Sequence, residues 1–442
     1  MTASNQPYFS VVIPSYNKED YITACLDSVT NQTFDDIEII IVDDGSTDST
    51  LEIIHEYACK DTRIQVISLS VNQGRHIARS YGVKESSGRF ILFLDADDSL
   101  EETTCEVLSS YISERPDTDI LNYGLSLTIT DEIDEVRAAS LVLAELLNTS
   151  FGTLEGDDII FSSFNPPHTA WIPWNVVASV FRGDLVRNAF SSLEHIRLNK
   201  LEDAYEYLAI ALQAQKLYSF TEFKGYKYFF GRGISGKSKI SAKRFISDQI
   251  QAHAVDNAIQ RYARSQSHPR ALEAAHNFHN RALLIVGDDF VQRLTHAEHK
   301  EALAAMQSTW GKVGAYQALY QHIYGHIELA AASGQIPPHK RYYHWRSIFY
   351  TVSHPVKSLP PEYEEVRHKT QKLIDTIDEL THLHEQQVLE REEHERARLE
   401  YEESIRIFKT GTLMRRIFDK LCPLGTHRRD IARRLAKFAL HR

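Results

Sequence analysis

The 442-residue chain reads as an α/β protein with a mostly parallel central sheet, followed by a helical C-terminal region. Three observations predict this. Strand-like apolar runs alternate with helical patterns through the first hundred residues, the arrangement that right-handed crossovers close into a parallel sheet. Two of the four strands in that stretch end in carboxylates, Asp43-Asp44 and Asp95/Asp97/Asp98, which a parallel sheet brings to one edge. From about Ala242 onward the apolar residues recur at helical spacing, with no further strand signal.

The elements follow in order. Phe9 to Pro14 is a strand that Pro14 ends, and Tyr21 to Asn31 is a helix with Ile22, Cys25, Leu26 and Val29 inward. Ile37 to Val42 is the second strand. The next helix turns Leu51, Ile54, Tyr57 and Ala58 inward, Ile64 to Ile67 is the third strand and Arg75 to Lys84 the third helix. Phe90 to Leu94 is an uninterrupted apolar run, the mark of a strand buried on both faces. Acids crowded at the end of such a strand repel one another unless a cation or polar ligand compensates them. The carboxyl edge of an open α/β sheet is also where ligands bind. A hard cation such as Mg²⁺ takes one or two carboxylates and leaves room for phosphate oxygens, which suits an Asp-x-Asp pair. Alone, such a pair is an ordinary solvated turn; two acidic strand ends on one edge are harder to dismiss.

Composition agrees with a globular chain of two or three domains, 43% hydrophobic and 25% charged. The four cysteines lie far apart with no C-x-x-C spacing, so they read as reduced, mostly buried thiols of a cytoplasmic protein. The first residues lack a basic segment and an apolar run, predicting no export signal, and no stretch approaches the ~18 apolar residues of a membrane span.

After the first strand stands Pro14-Ser15-Tyr16-Asn17, neither the glycine fingerprint of dinucleotide-binding folds nor a phosphate-binding P-loop. What is present resembles the family-2 glycosyltransferases of the GT-A fold. The matching stretches are Val12 to Asn17, Asn31-Gln32-Thr33-Phe34, Ile41 to Asp48, Asn72-Gln73-Gly74, Ala78 to Gly82 and Asp95-Ala96-Asp97-Asp98, in the family's order across roughly the first hundred residues. One departure is Ser80, where the family commonly has Asn.

The resemblance assigns roles. Pro14 and Tyr16 would line the uracil pocket, with a packing aromatic as the plain alternative for Tyr16, and Asp44 would accept from the uracil N–H. Asp95 would sit by the ribose and metal, and Asp97 would ligate the Mn²⁺ or Mg²⁺ that bridges the diphosphate. For Arg79, a phosphate contact and a brace under the acidic edge stand equal. Asp48 is better read as a helix N-terminal cap.

Further on, Asp119 to Gly124 reads as a strand, and Asp131 to Asp157 as an irregular polar excursion. Pro166 to Asn175 is a Trp/Pro/His-rich segment, either a platform for an acceptor sugar or core. In Leu201 to Leu208, Glu202 and Asp203 open a helix, where negative charge suits the dipole. On residues alone this is a capping pair. In the family an acidic pair at this distance after the Asp-x-Asp supplies the catalytic base, so the resemblance assigns that role to Asp203 with Glu202 in support. Phe229 to Lys237 closes the domain, as a mobile loop over a diphosphate or as a plain turn.

Residues 242–350 read as helices with scattered histidines, more simply satisfied side chains than metal ligands, His276 and His279 included. Ser358 to Pro361 is a linker. Val366, Thr370, Leu373, Ile377 and Leu380 keep a heptad spacing that then fails, giving a short coiled coil or one long solvated helix. From Ser404 onward there are eleven basic residues against Asp419 and Asp430, in a chain of net charge −11. Two apolar stripes accompany them, a pattern suited to an anionic membrane surface or to docking on the protein's own acidic body.

The expected domains are therefore 1–240 for the GT-A unit (1–110 for the nucleotide, 111–240 for the acceptor), 241–355 helical, 356–405 a long helix or coiled coil, and 406–442 a basic tail. The expected function is metal-dependent, inverting transfer from a UDP-sugar to a hydroxyl of a glycan or lipid-linked acceptor, in bacterial cell-surface polysaccharide or glycoconjugate synthesis. The expected place is the cytoplasm or the inner face of the membrane, with a homodimer as an allowed assembly and no nucleic-acid partner. The alternative is a non-catalytic scaffold that binds sugar nucleotides or glycans and assembles through its C-terminal region.

Overall fold

The computed structural model describes residues 6–129, 144–165, 174–232 and 239–408, with side chains through Glu402, and four isolated positions beyond. The chain divides into two compact units, Met1–Leu319 and Tyr320–Arg442.

The first unit is built on a nine-stranded sheet. Strands β1 (Phe9–Ser15), β2 (Ile37–Asp43), β3 (Ile64–Ser68) and β4 (Phe90–Phe93) pair in parallel in the order β3-β2-β1-β4. The helices between them are α1 (Ile22–Thr30), α2 (Thr50–Ala58) and α3 (Arg75–Glu85). Each forms where the sequence pattern puts it. In α1 the four inward residues are all buried, whereas in α2, beside the edge strand, only Ile54 of the four is.

Period-two alternation sorts the strands' side chains onto two faces. Phe9, Val11, Ile13, Ile39, Ile41, Leu92 and Leu94 share a core with Cys25 and Leu26 of α1, while Ile40 and Val42 face Ile77 and Ala78 of α3. Because β4 is covered on both sides, its side chains are all buried, and the expectation of a doubly covered strand holds. Each such aliphatic contributes roughly 1.5–3 kcal/mol of burial.

The second half of the sheet is mixed. Strands β5 (Ser99–Leu100), β6 (Ile120–Ile129), β7 (Thr153–Glu155), β8 (Ser179–Arg182) and β9 (Lys216–Phe230) extend the order as β4-β8-β6-β9-β5, with β7 on the other side of β9. Here β8 is antiparallel to both β4 and β6, and β6 runs parallel to β9. The polar excursion thus contributes β7, while its residues 131–143 lie outside the described residues. Helices α4 (Thr104–Ser113), α5 (Asp157–Ser163), α6 (Gly183–Ser191) and α7 (Glu202–Ala211) cover this half.

Three motif residues prove to hold the fold. Gln32 donates to the Ser28 and Glu101 carbonyls and accepts from the Cys105 N–H, tying α1 to the start of α4. Asp48 accepts from the N–H groups of Thr50, where α2 begins, and Glu19, but it stands one position before the N-cap, Ser49, so it is not itself the expected cap. Trp174 is 5% exposed and stacks on Phe164, so it belongs to the core; Pro166 to Pro173, including Trp171, lie outside the described residues. Cys25 and Cys105 are buried as expected, but Cys59 is exposed at the end of α2.

Helices α8 (Ala242–Ser265), α9 (Ala271–Arg293) and the first part of α10 (His299–Ser333) complete this unit. Here His279 bonds Asp256 through Nδ1 and His276 pairs with Asn280. In the second unit α11 (Lys340–Ser353) and α12 (Pro361–Phe408) follow, with non-helical chain at the expected linker. The buried stripe of α12 is Thr370, Ile374, Ile377 and Thr381. Its phase differs from the heptad reading, because α11 covers it: the Tyr342 hydroxyl reaches the Ile374 carbonyl and Asp378. Leu380 of the heptad is exposed. The basic tail lies outside the described residues apart from the four isolated positions. Among the described residues no helix is long and apolar enough to cross a membrane.

Candidate active site

At the carboxyl edge of β1, β2 and β4 the chain encloses a cavity of about 590 Å³. Pro14, Tyr16, Asp44, Asp95 and Asp97 all line it, so five of the sequence-derived positions meet in one place. Tyr16 is 41% exposed, presenting a free ring face rather than packing.

Asp44 is fixed by its neighbours. Its Oδ1 accepts from the Gln73 N–H at 2.7 Å, and its Oδ2 from the Gly74 N–H at 2.8 Å and the Asn72 side chain at 2.9 Å. Burial pushes its pKa up even so. This explains two glycines. Gly45 (φ 72°) lies against the Val71–Asn72 backbone, where a Cβ would come within 2.7 Å, and Gly74 (φ 99°) turns its N–H onto Asp44.

The three carboxylates after β4 have different surroundings. Ligating atoms of Asp95, Asp97 and Asp98 fall within 4.8 Å of one another, among the described residues the one such cluster that could hold a metal. Asp97 pairs with the Lys18 ammonium at 2.6 Å. Burial would raise the Asp95 carboxyl, but the Arg75 and Arg79 guanidiniums outweigh it and hold the group below the usual value. Asp98 is turned away: its oxygens accept from the Tyr226 hydroxyl at 2.8 Å and the Phe229 N–H at 2.9 Å. Burial, then the charge of Asp95, pushes it up to about 8. Asp95 and Asp97 therefore suit a hard divalent cation, which oxygen ligands bind best; Lys18 shows that a positive charge is accommodated there. Asp98 is already spent on β9.

Behind this edge lies a buried ionic network. Arg79, 1% exposed, reaches Glu206 at 2.9 Å, Asp95 at 3.1 Å and Glu202 at 3.5 Å. It does not line the cavity, so of its two alternatives the geometry favours the brace. Arg75, one turn earlier, does line the cavity and pairs with Glu202 at 2.9 Å. His76 bonds Glu206 through Nδ1 and the Glu194 carbonyl through Nε2.

This network seats the start of α7. Leu201 before it has φ 63°, an unfavourable conformation for a branched residue, and it sets the direction in which Glu202 and Asp203 leave the loop. Glu202 is engaged at Oε1 by Arg75 and Arg79, whereas among the described residues the Asp203 carboxylate is engaged only by its neighbour, the Ala204 N–H. Burial, then the charge of Glu202, raises Asp203 to about 7.

The rest of the cavity comes from residues the motifs did not mark. Arg197 bonds the Asn72 side chain at 2.8 Å. Arg232, in the closing segment, rests on the Phe229 ring at 3.8 Å; residues 233–238 beyond it lie outside the described residues. Lys200 and Arg244 complete the cationic lining. Arg75 was findable, since it follows Gly74 directly and lies one turn before Arg79. For Arg197, Lys200 and Arg244 no local signal existed.

Residues 10–149 match the family model described as "Glycosyl transferase family 2". The chain is 50% identical over 92 residues to the poly(ribitol-phosphate) beta-glucosyltransferase of Bacillus spizizenii, covering 20% of this chain and 14% of that protein. To the uncharacterized glycosyltransferase YibD of Escherichia coli it is 29% identical over 233 residues, 52% of this chain and 62% of that one. Relatives matched at 39–44% identity are covered over only 16–44% of their length. Among solved structures, S. aureus TarS 1-349 in complex with UDP-GlcNAc aligns over 77% of this chain and 90% of that chain, at 19% identity and a TM-score of 0.49. The sheet order and the acidic edge accompany that match: residues 10–149 form a domain that matches the family-2 glycosyltransferases.

Proposed function

We propose that the protein transfers a sugar from a UDP-sugar to a hydroxyl of a glycan or related acceptor, with inversion at the anomeric carbon, in bacterial polysaccharide or glycoconjugate synthesis. The observation that carries this reading is the meeting of Tyr16, Asp44, Asp95 and Asp97 in one cavity that is also lined with arginines. The exposed ring of Tyr16 offers a stacking face for the base beside Pro14, and Asp44 retains lone pairs for a uracil N–H. Asp95 and Asp97 would hold Mn²⁺ or Mg²⁺, which would neutralise charge developing on the departing diphosphate. Arg75 and Arg232 are placed to offset the remaining phosphate charge.

Asp203 acts as the general base. Raised to about 7, it can take a proton from an attacking hydroxyl near neutral pH, and removal of that proton contributes typically 10²–10⁴-fold. Glu202, held by Arg75 and Arg79, adds its negative charge to the burial that raises Asp203. The acceptor oxygen bonds to the anomeric carbon as the bond to UDP breaks, so one displacement inverts the centre. The basic tail attaches the protein to the cytoplasmic leaflet, where lipid-linked acceptors are found; removing the chain after Phe408 should abolish co-sedimentation with anionic vesicles.

The test is calorimetric titration of UDP with and without Mn²⁺, followed by UDP release from a panel of UDP-sugars. Metal-dependent UDP binding with turnover is the expected result. UDP binding without turnover of any donor would favour the scaffold reading, and no UDP binding would sink both.

A further inference from the structure

The cavity has a wall that the nucleotide and metal do not need. It is formed by one face of α8, where Arg244, Ser247, Asp248 and Gln251 recur at three- and four-residue spacing and all line the cavity. Residues so spaced lie one above another, about 5–6 Å apart.

Among the described residues, two side-chain oxygens on this face lack hydrogen-bond partners. Asp248 is 7% exposed; its Oδ1 forms an ion pair with Arg244 Nε at 2.9 Å, but among the described residues its Oδ2 accepts no hydrogen bond. The Lys200 ammonium lies 4.0 Å from that oxygen, beyond bonding reach, and is engaged with Asp289 at 2.5 Å. The Gln251 side-chain oxygen, also buried, accepts nothing either. A buried acceptor left unpaired is costly, so a pair of them on a cavity wall is a feature to explain. Both atoms are acceptors, and the ligand that satisfies them must donate. A phosphate oxygen cannot do so at neutral pH; a hydroxyl can, and it can also accept from Arg244 or Ser247. Vicinal hydroxyls of a sugar ring match alternating donors and acceptors spaced a helical turn apart.

We propose that the α8 face, centred on Asp248 and Gln251, is a subsite for a hydroxyl-bearing sugar ring. The proposal rests on the nucleotide-sugar reading above and deepens it. Lys200, which lines the same cavity 4.0 Å from Asp248, stands three residues before Asp203 in the chain; the ring is either the donor's hexose or the acceptor's terminal sugar. Helix α8 is then part of the site rather than an appendage to it.

The experiment uses the full-length protein with Mn²⁺ and two variants, Asp248→Asn and Gln251→Ala. The second removes no hydrogen bond present in the structure and should leave the melting temperature unchanged. In one arm, calorimetry gives the affinity for UDP and for UDP-glucose, UDP-galactose, UDP-N-acetylglucosamine and UDP-N-acetylgalactosamine. In the other, saturation-transfer NMR in the presence of UDP gives binding of the corresponding methyl glycosides. Unchanged UDP affinity with a loss of about tenfold or more for a UDP-sugar assigns the subsite to the donor, the size expected when a charged acceptor is lost. The same loss confined to a methyl glycoside assigns it to the acceptor. Variants equal to the wild type in both arms, or weakened equally for UDP and UDP-sugars, overturn the proposal. A wild-type protein that binds no UDP overturns the nucleotide-sugar reading itself.

Discussion

The two sides of the cavity are built differently. The side at the ends of β1, β2 and β4 is acidic and held from behind: Asp44 by two backbone N–H groups, Asp95 by Arg79, and Asp97 by Lys18. The opposite side, from residues 197–200, 232 and α8, consists of long cationic side chains with Asp248 among them. Arg197 and Arg232 meet no carboxylate among the described residues; one bonds an amide and the other lies on an aromatic ring. A side whose carboxylates are fixed by backbone and by buried arginines is preorganised, which suits metal and base recognition. A side made of long, rotatable cations can follow a ligand as it is bound and released. The first should tolerate substitution badly and the second gradually.

The largest expected effect lies at the start of α7, which the buried arginines behind the acidic side hold in place. Asp203→Asn should lower kcat by roughly 10²–10⁴-fold while leaving UDP affinity within about twofold. In the wild type, log kcat should fall with unit slope below a pH of about 7, because only the deprotonated carboxylate accepts a proton. Near-normal turnover by Asp203→Asn would remove it from the mechanism. Next, Asp97→Ala should abolish the Mn²⁺-dependent part of UDP binding, read as equal affinities with Mn²⁺ and with EDTA.

Arg79→Met tests whether the acidic side depends on its brace. It leaves Glu206 and Asp95 without their buried cation, and removing one partner of such a group costs about 3–5 kcal/mol. Denaturant unfolding should show that loss, whereas Arg232→Ala, on the adjustable side, should leave stability nearly unchanged and weaken UDP only about five- to tenfold.

The last effect concerns Asp98 and is read in stability alone. Held at about 8 in the folded protein against about 4 when unfolded, it keeps a proton that the unfolded chain has released. Stability should therefore fall as pH rises from about 4 towards 8. Asp98→Asn, still able to accept from the Phe229 N–H, should flatten that slope in urea titrations with EDTA present. An unchanged slope would show that Asp98 is ionised in the folded state.

The parallel half of the sheet was legible residue by residue, because its strands are apolar throughout and its ligand edge is written in short local motifs. Helix α7 was legible as an acidic helix start, and α8 as a helix. Local pattern could not place Arg197, Lys200, Arg244, Asp248 and Gln251 in the same cavity as Tyr16 and Asp97, since nothing local records a contact across more than a hundred residues. Nor could it show that Arg79 points inward. On α3, Arg75 and Arg79 are equal one-turn neighbours until Glu206, buried on α7, claims one guanidinium and leaves the other at the cavity. The amino-acid sequence determined which strands form and which acids stand at their ends, because both follow from near-neighbour sterics and apolar periodicity. Only the tertiary structure decided which charges neutralise one another and which remain at the cavity, because burial and Coulomb attraction act on distances in space, not on separation along the chain.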